Sequence, residues 1–288
     1  MRTKRKKIKI ELTQKQIVKL LPFFQAVADD NLAANWKQPL KWSRQAAAAG
    51  VRRRVFCASL ADVFEDRSEL ESWRVDLMKL IELTHDNLDW LLLTKRPENV
   101  VRLIELAQDQ AGAGVGAAGW LWRTGVWIGT SVEGQEQADK RIPELLRIDA
   151  RVRFLSMEPL LGPVDLYGRW LGGPAENRDG SRVAEPRIHW VIVGGESGRK
   201  ARAMHPDWVR SIRDQCQSAG VPFFFKQWGE WLPFGQDANP DDAFESYGKG
   251  RIVLLNGHAM QGIGKRAAGR LLDGREWNEY PAVCKELT

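Results

Sequence analysis

Hydrophobic and polar positions follow two regimes along this chain: short, nearly unbroken apolar runs, and longer stretches in which apolar residues return every three or four places. The runs are Val55 to Ser59, Trp90 to Thr94, Val126 to Ser131, Val152 to Ser156, His189 to Gly194 and Pro222 to Lys226. Short runs rich in β-branched and aromatic residues predict strands buried on both faces. Their centres, Cys57, Leu92, Ile128, Phe154, Ile192 and Phe224, are spaced as βα units are.

The intervening stretches have helical period. Leu70, Trp73, Leu77, Leu80 and Ile81 form one stripe, and Val100, Leu103, Ile104 and Leu106 another behind Pro97, which suits a first turn. A third helix starts after His205-Pro206, carries Val209, Ile212 and Cys216 on one face and stops at Gly220. His205 therefore reads as a cap and Cys216 as core. Leu160 to Pro186 has no helical signal and reads as a long excursion over the sheet. Beyond Trp228 the sequence predicts a hairpin around Gly248-Lys249-Gly250 and a basic stretch, Gly264 to Arg275, acting as an accessory lid or edge.

Six strands joined by right-handed crossovers form either a (β/α) barrel, full or partial, or an open doubly wound sheet. The strand ends favour a partial (β/α) barrel of about six or seven parallel strands with a C-terminal extension. In such a barrel the chemistry sits at the C-terminal strand ends. Here those ends carry Asp62 with Ser59; Thr94, Lys95 and Arg96; Ser131 and Glu133; Ser156 and Glu158; Gly194, Gly195, Glu196 and Ser197; and Lys226 and Gln227. These are the candidate ligand-binding residues. Gly194-Gly195 would let backbone approach a ligand closely or make a plain tight turn. The expected division is a basic segment over 1–35, a barrel core over 36–230 and an extension over 231–288.

Composition narrows the possibilities. A chain of 288 residues with 43% hydrophobic and 28% charged residues is neither disordered nor collagenous, and it has no apolar stretch long enough for a membrane helix. Lys15, Gln16 and Lys19 spoil the resemblance of the N-terminus to a signal peptide. Cys57, Cys216 and Cys284 are too few and too scattered for a disulfide framework or a zinc site, which fits a reducing cytoplasm. No histidine pair has metal-ligand spacing.

The net charge of +6 includes Arg2, Lys4, Arg5, Lys6, Lys7 and Lys9. They read as a solvated arm or a weak nucleic-acid contact, and Ile8 to Leu12 alternates like an edge strand. Trp36, Trp42, Trp120, Trp122, Trp228 and Trp231 fall in segments read as loops, where tryptophan either plugs packing gaps or stacks on single-stranded nucleic acid. Gly114, Gly116 and Gly119 match a dinucleotide fingerprint in letters, but they follow a helix and precede a strand, so they read as a flexible connection.

Several ordered blocks carry a resemblance. Leu92 to Pro97, Val126 to Glu133, Arg153 to Leu166, Trp190 to Gly198, Ala203 to Gln215 and Val221 to Trp231, with Gly269 to Arg275, closely resemble the phage Gp-thirty-seven/Gp-sixty-eight family of three-cysteine-motif proteins. That resemblance implies a phage or mobile-element protein on a partial barrel like that of radical S-adenosylmethionine enzymes. Intact relatives would carry an iron–sulfur cluster and S-adenosylmethionine behind an N-terminal cysteine triad. This chain has no cysteine before Trp36, so it is expected to be cluster-free as encoded, whether its first strand was lost or its start miscalled. Its expected role is a polar site for a small anionic ligand at the strand ends. A nucleic-acid-binding accessory protein and a metal-dependent hydrolase using Asp62, Glu133, Glu158 and Glu196 are the alternatives.

Overall fold

The structure is a computed structural model that describes residues 31–57, 61–112, 116–166, 170–171, 175–176, 182–183, 187–234 and 251–282. The basic arm, the Ile8 to Leu12 alternation, Ser59, the hairpin expected around Gly248 and Cys284 lie outside them.

In chain order the strands are β1 (Arg53–Cys57), β2 (Leu88–Thr94), β3 (Trp127–Ser131), β4 (Val152–Met157), β5 (Ala175–Glu176), β6 (Arg182–Val183), β7 (Trp190–Gly194), β8 (Phe223–Gln227), β9 (Trp231–Pro233), β10 (Arg251–Leu255) and β11 (His258–Gly262). The helices are α1 (Asn31–Ala49), α2 (Glu71–Thr84), α3 (Val100–Gln110), α4 (Gly116–Thr124), α5 (Gln135–Leu146), α6 (Pro206–Ala219) and the short α7 (Lys265–Ala268). All six expected strands are present. They form one sheet in the order β1-β2-β3-β4-β7-β8, and every neighbouring pair is parallel. Because spatial order follows chain order, the sheet curls one way into a half-barrel instead of reversing at a switch point. A small antiparallel sheet, β10-β11-β9, is added near the C-terminus, and β5 pairs with β6.

Alternation along the strands divides the core. Val55, Cys57, Trp90, Leu92, Ile128, Leu155, Val191 and Phe225 face outward and share one cluster with Leu77, Leu103, Ile142 and Val209 of the helices. Leu91, Leu93, Trp127, Val152, Phe154, Trp190 and Ile192 face the concave side, with Phe56 and Phe224 against them. Both faces are apolar, which is why these strands read as unbroken runs. Gly129 lies beneath Phe154, where a Cβ would come within 2.3 Å of the ring.

The end of the chain closes the sheet. Phe225 donates its amide to the Trp277 carbonyl (3.0 Å) and Glu279 to that of Phe223 (3.2 Å), so this segment lies antiparallel on edge strand β8 and satisfies it. Tyr280 packs against Trp190 and Phe224 (ring centroids 5.3 and 5.4 Å) beneath the Arg54 guanidinium.

Several expectations need correction. The segments around Trp36 and Trp42 are the helix α1, Pro39 notwithstanding, and Trp120 and Trp122 lie on α4, which Gly116 and Gly119 help to form instead of a flexible connection. Trp120, Trp228 and Trp231 are buried, leaving Trp122 half exposed, so most of these residues plug gaps. The hairpin that is described turns at Asn256-Gly257, both with positive φ (48° and 86°) as a tight two-residue turn demands. His205 does cap α6, accepting the Asp207 amide at Nδ1 (3.2 Å), and Gly220 does end it in the left-handed region. Among the described residues no helix is long and apolar enough to cross a membrane.

One half-buried histidine ties β4 to β7 and makes the fold sensitive to acid. His189 accepts the Arg153 amide at Nδ1 (3.1 Å) while its own amide donates to the Arg153 carbonyl (2.8 Å). Burial first, then the Arg153 and Arg187 charges, push its pKa down from 6.5 to about 4. The unfolded chain therefore binds the proton that the folded chain refuses. The resulting stabilisation is complete above about pH 6.5 and lost as pH falls towards 4, roughly 2 kcal/mol after allowance for partial exposure. Urea titrations at pH 7 and 4.5 should show H189Q losing less stability between the two than the parent; equal losses would refute the linkage.

Candidate ligand site at the strand C-termini

Inward parity continues past the apolar floor. On β3 the series Trp127, Gly129 ends at Ser131; on β4 Val152 and Phe154 are followed by Ser156 and then Glu158; on β2 Leu93 is followed by Lys95; on β8 Phe224 is followed by Lys226. Ser131 and Ser156 are direct register partners on adjacent strands. Both residues are almost enclosed, and among the described residues their hydroxyls make no hydrogen bond and are not sealed from solvent, so they open on the concave side. A floor of Leu93, Phe154 and Ile192 is thus topped by two serines and then by charge.

The charged groups form pairs across the mouth. Lys226 Nζ is 2.7 Å from Glu158 Oε2, and Gln227 Nε2 donates to Glu158 Oε1 (3.2 Å). Arg141 of α5 donates to Glu133 Oε2 and to the Ser131 carbonyl (2.8 Å each), while exposed Lys95 stands 3.5 Å from Glu133 Oε1. Glu196 is gripped by Arg202 through Nε, Nη2 and the main-chain amide (2.8–3.0 Å), and hydrogen bonds from Arg202 are the main cause holding its carboxyl below the ordinary range. Glu133 also contributes to raising the Arg202 pKa, which joins this pair to the same field.

Main-chain bonds fix the loops that carry these groups. Val132 donates to the Ser156 carbonyl (3.0 Å), Leu161 to Glu133 (2.8 Å), Leu160 to Gly194 (3.1 Å), Gly195 to Gln227 (2.9 Å) and Glu230 to Glu196 (3.0 Å). The loops after β3, β4, β7 and β8 are therefore stitched in a row. Gly195 is required here because its backbone meets that of Trp228, whose carbonyl oxygen lies 1.9 Å from where a Cβ would stand. The close approach at the Gly194-Gly195 pair is to protein backbone, with Glu158 packed over Gly194.

Asp62 and Thr94 take another role. Asp62 Oδ1 accepts from Thr94 Oγ1 (2.7 Å) and the Phe64 amide (3.0 Å); Oδ2 accepts from the Lys95 amide (2.9 Å) and Arg96 Nη1 (3.0 Å). Four donors fill a carboxylate's acceptor sites. Asp62, Thr94 and Arg96 therefore brace the turn that presents Lys95. Ser197 faces Gln227 at a long 3.5 Å.

The structure thus gathers Lys95, Ser131, Glu133, Ser156, Glu158, Lys226 and Gln227 at one mouth and sets Glu196 with Arg202 at its edge. Sequence reasoning missed Arg141 and Arg202, because a helix and a loop return them to strand ends that their sequence positions do not advertise. It also missed a cluster of His205, Asp207 and His258.

A family model described as "Protein of unknown function (DUF5131)" matches residues 2–281. No curated protein and no solved structure matches.

Proposed function

From the premise that the chain belongs to the DUF5131 family of proteins of unknown function, we propose that it is a small-molecule-binding half-barrel, cluster-free, whose ligand seats on the concave face at the strand ends. The observation that carries this reading is the Ser131–Ser156 pair: two adjacent serines, almost enclosed, whose hydroxyls reach the open side with no hydrogen-bond partner among the described residues, below a ring of charged side chains. A hydroxyl offers one donor and two acceptor sites, so the pair can bond a ligand without breaking a bond of the protein. Lys95 and Lys226 suit an anionic group, and Glu133 and Glu158 suit an amine or hydroxyl on the same molecule, each exchanging an internal ion pair for one to the ligand.

Phage or mobile-element origin, and kinship with radical S-adenosylmethionine barrels, rest on the sequence blocks described above. The described thiols do not fit a cluster. Cys57 is buried on β1, with its pKa pushed up to about 12, and Cys216 is buried on α6, at the opposite edge of the sheet, with its thiol pushed up by burial as well. No step through a cluster follows. The hydrolase alternative gains nothing at the strand ends, because Asp62, Glu133, Glu158 and Glu196 each bind Lys or Arg instead of converging on one point.

Isothermal titration with S-adenosylmethionine, which carries amine, carboxylate and hydroxyls, and with inorganic phosphate tests the reading. Saturable binding of at least one probe is expected, weakened about tenfold or more in S131A/S156A with the fold intact by circular dichroism. Failure of both probes to bind, or binding indifferent to the serines, would overturn it.

A further inference from the structure

Three side chains from two parts of the fold converge, none of them used in the ligand reading above. His205 caps α6, Asp207 stands in its first turn, and His258 opens β11 directly after the Asn256-Gly257 turn. The imidazoles meet edge to face with centroids 4.4 Å apart, and one nitrogen of each ring and one Asp207 oxygen all lie within 4.8 Å of one another. From this geometry we infer that His205, Asp207 and His258 bind one divalent first-row cation, with zinc or ferrous iron as its class.

The donor set is the first reason. Two neutral imidazoles and one carboxylate with open positions suit both ions, whereas magnesium or calcium would call for an all-oxygen shell. The tautomer is the second. The Asp207 amide donates to His205 Nδ1, so Nδ1 already presents a lone pair and the ring hydrogen sits on Nε2. A cation at Nδ1 needs no proton to move within that ring; it replaces a long hydrogen bond of 3.2 Å with a coordinate bond.

The third reason is what capping leaves unexplained. The His205 side chain is only 7% exposed, and its buried Nε2 makes no well-formed hydrogen bond among the described residues, the Asn256 main chain being the acceptor that acts on the ring. Serine, asparagine or aspartate would cap the helix without burying a poorly paired N–H. Ligation accounts for the choice of histidine.

The other two donors have room to close. Asp207 Oδ1 accepts from Arg210 Nη1 (2.8 Å), and Oδ2 stands 3.9 Å from His205 Nδ1, on a side chain that is 57% exposed. His258 is partly exposed on a turn. Metal–ligand bonds of about 2.0–2.2 Å require the donors to draw together by somewhat over an ångström, and water completes the shell on the open side. The cation would fasten the C-terminal hairpin to α6, so its first consequence is stability.

The test titrates the purified, chelator-treated chain separately with zinc and, anaerobically, with ferrous iron, and uses cobalt as a spectroscopic reporter. One equivalent should bind and raise Tm, and cobalt should give visible ligand-field bands without thiolate charge transfer. H258A and D207N should each weaken binding tenfold or more, as should H205N, in which asparagine keeps the cap. Absence of stoichiometric binding, binding unchanged by H205N and H258A, or a thiolate band from cobalt would overturn the inference.

Discussion

Replacing Gly195 with alanine should destabilise the chain by about 3 kcal/mol or more and disorder the strand-end site. The added methyl would stand 1.9 Å from the Trp228 carbonyl oxygen and 2.5 Å from its carbon. Both obstacles are main chain, so no rotamer change relieves them. The partner side of the crossing is equally tight, since a Cβ on Gly229, at φ 82°, would lie 2.1 Å from the Glu196 carbonyl oxygen. Two loops thus cross at a glycine each, where Gly195 donates to Gln227 (2.9 Å) and Glu230 to Glu196 (3.0 Å). Separating them would move Lys226 and Gln227 away from Glu158, so ligand binding should fall together with stability. Urea denaturation of G195A measures the first and the serine-dependent titration the second. A variant within 1 kcal/mol of the parent would mean that the crossing is loose and that the loop geometry does not position the site.

The strands were legible because both faces of the sheet are buried, which turns Trp90 to Thr94 or Val126 to Ser131 into runs no surface segment would carry. Parallel strands present their C-terminal ends on one side, so Lys95, Arg96, Glu133, Glu158, Glu196 and Lys226 are expected at one mouth from sequence alone; of these Arg96 turns to Asp62 and Glu65, and Glu196 to Arg202 at the edge. Other features depend on information that a linear pattern lacks. The helix α1 mixes polar and apolar positions around Pro39, so its period is weak, and α5 has Ala138, Ile142 and Leu145 as its only buried side chains. Which cation serves which carboxylate is set by helix placement, as Arg141 illustrates. His258 meets His205 only because the hairpin folds back over α6.

Asp62 shows how a candidate ligand group becomes a structural one, and its substitution should have the second large effect. Its carboxylate, 12% exposed, holds Thr94 Oγ1, the Phe64 and Lys95 amides and the Arg96 guanidinium. D62A strips all four donors of their acceptor at once. Arg96 keeps Glu65 (3.3 Å), and the arginine is partly solvated, so the main loss comes from the two amides and the hydroxyl. An expected cost of about 3 kcal/mol follows from unmet donors at roughly 1 kcal/mol each. D62N, which keeps one acceptor oxygen, should cost about half as much. Because the Lys95 amide is among those released, the Lys95 ammonium should also leave Glu133, and affinity for an anionic probe should drop in D62N even where the fold survives. Unfolding curves for D62A and D62N, set beside their phosphate titrations, separate these effects. If D62A were as stable as the parent, the brace would be refuted; if D62N lost affinity without any loss of stability, Asp62 would belong to the ligand site after all.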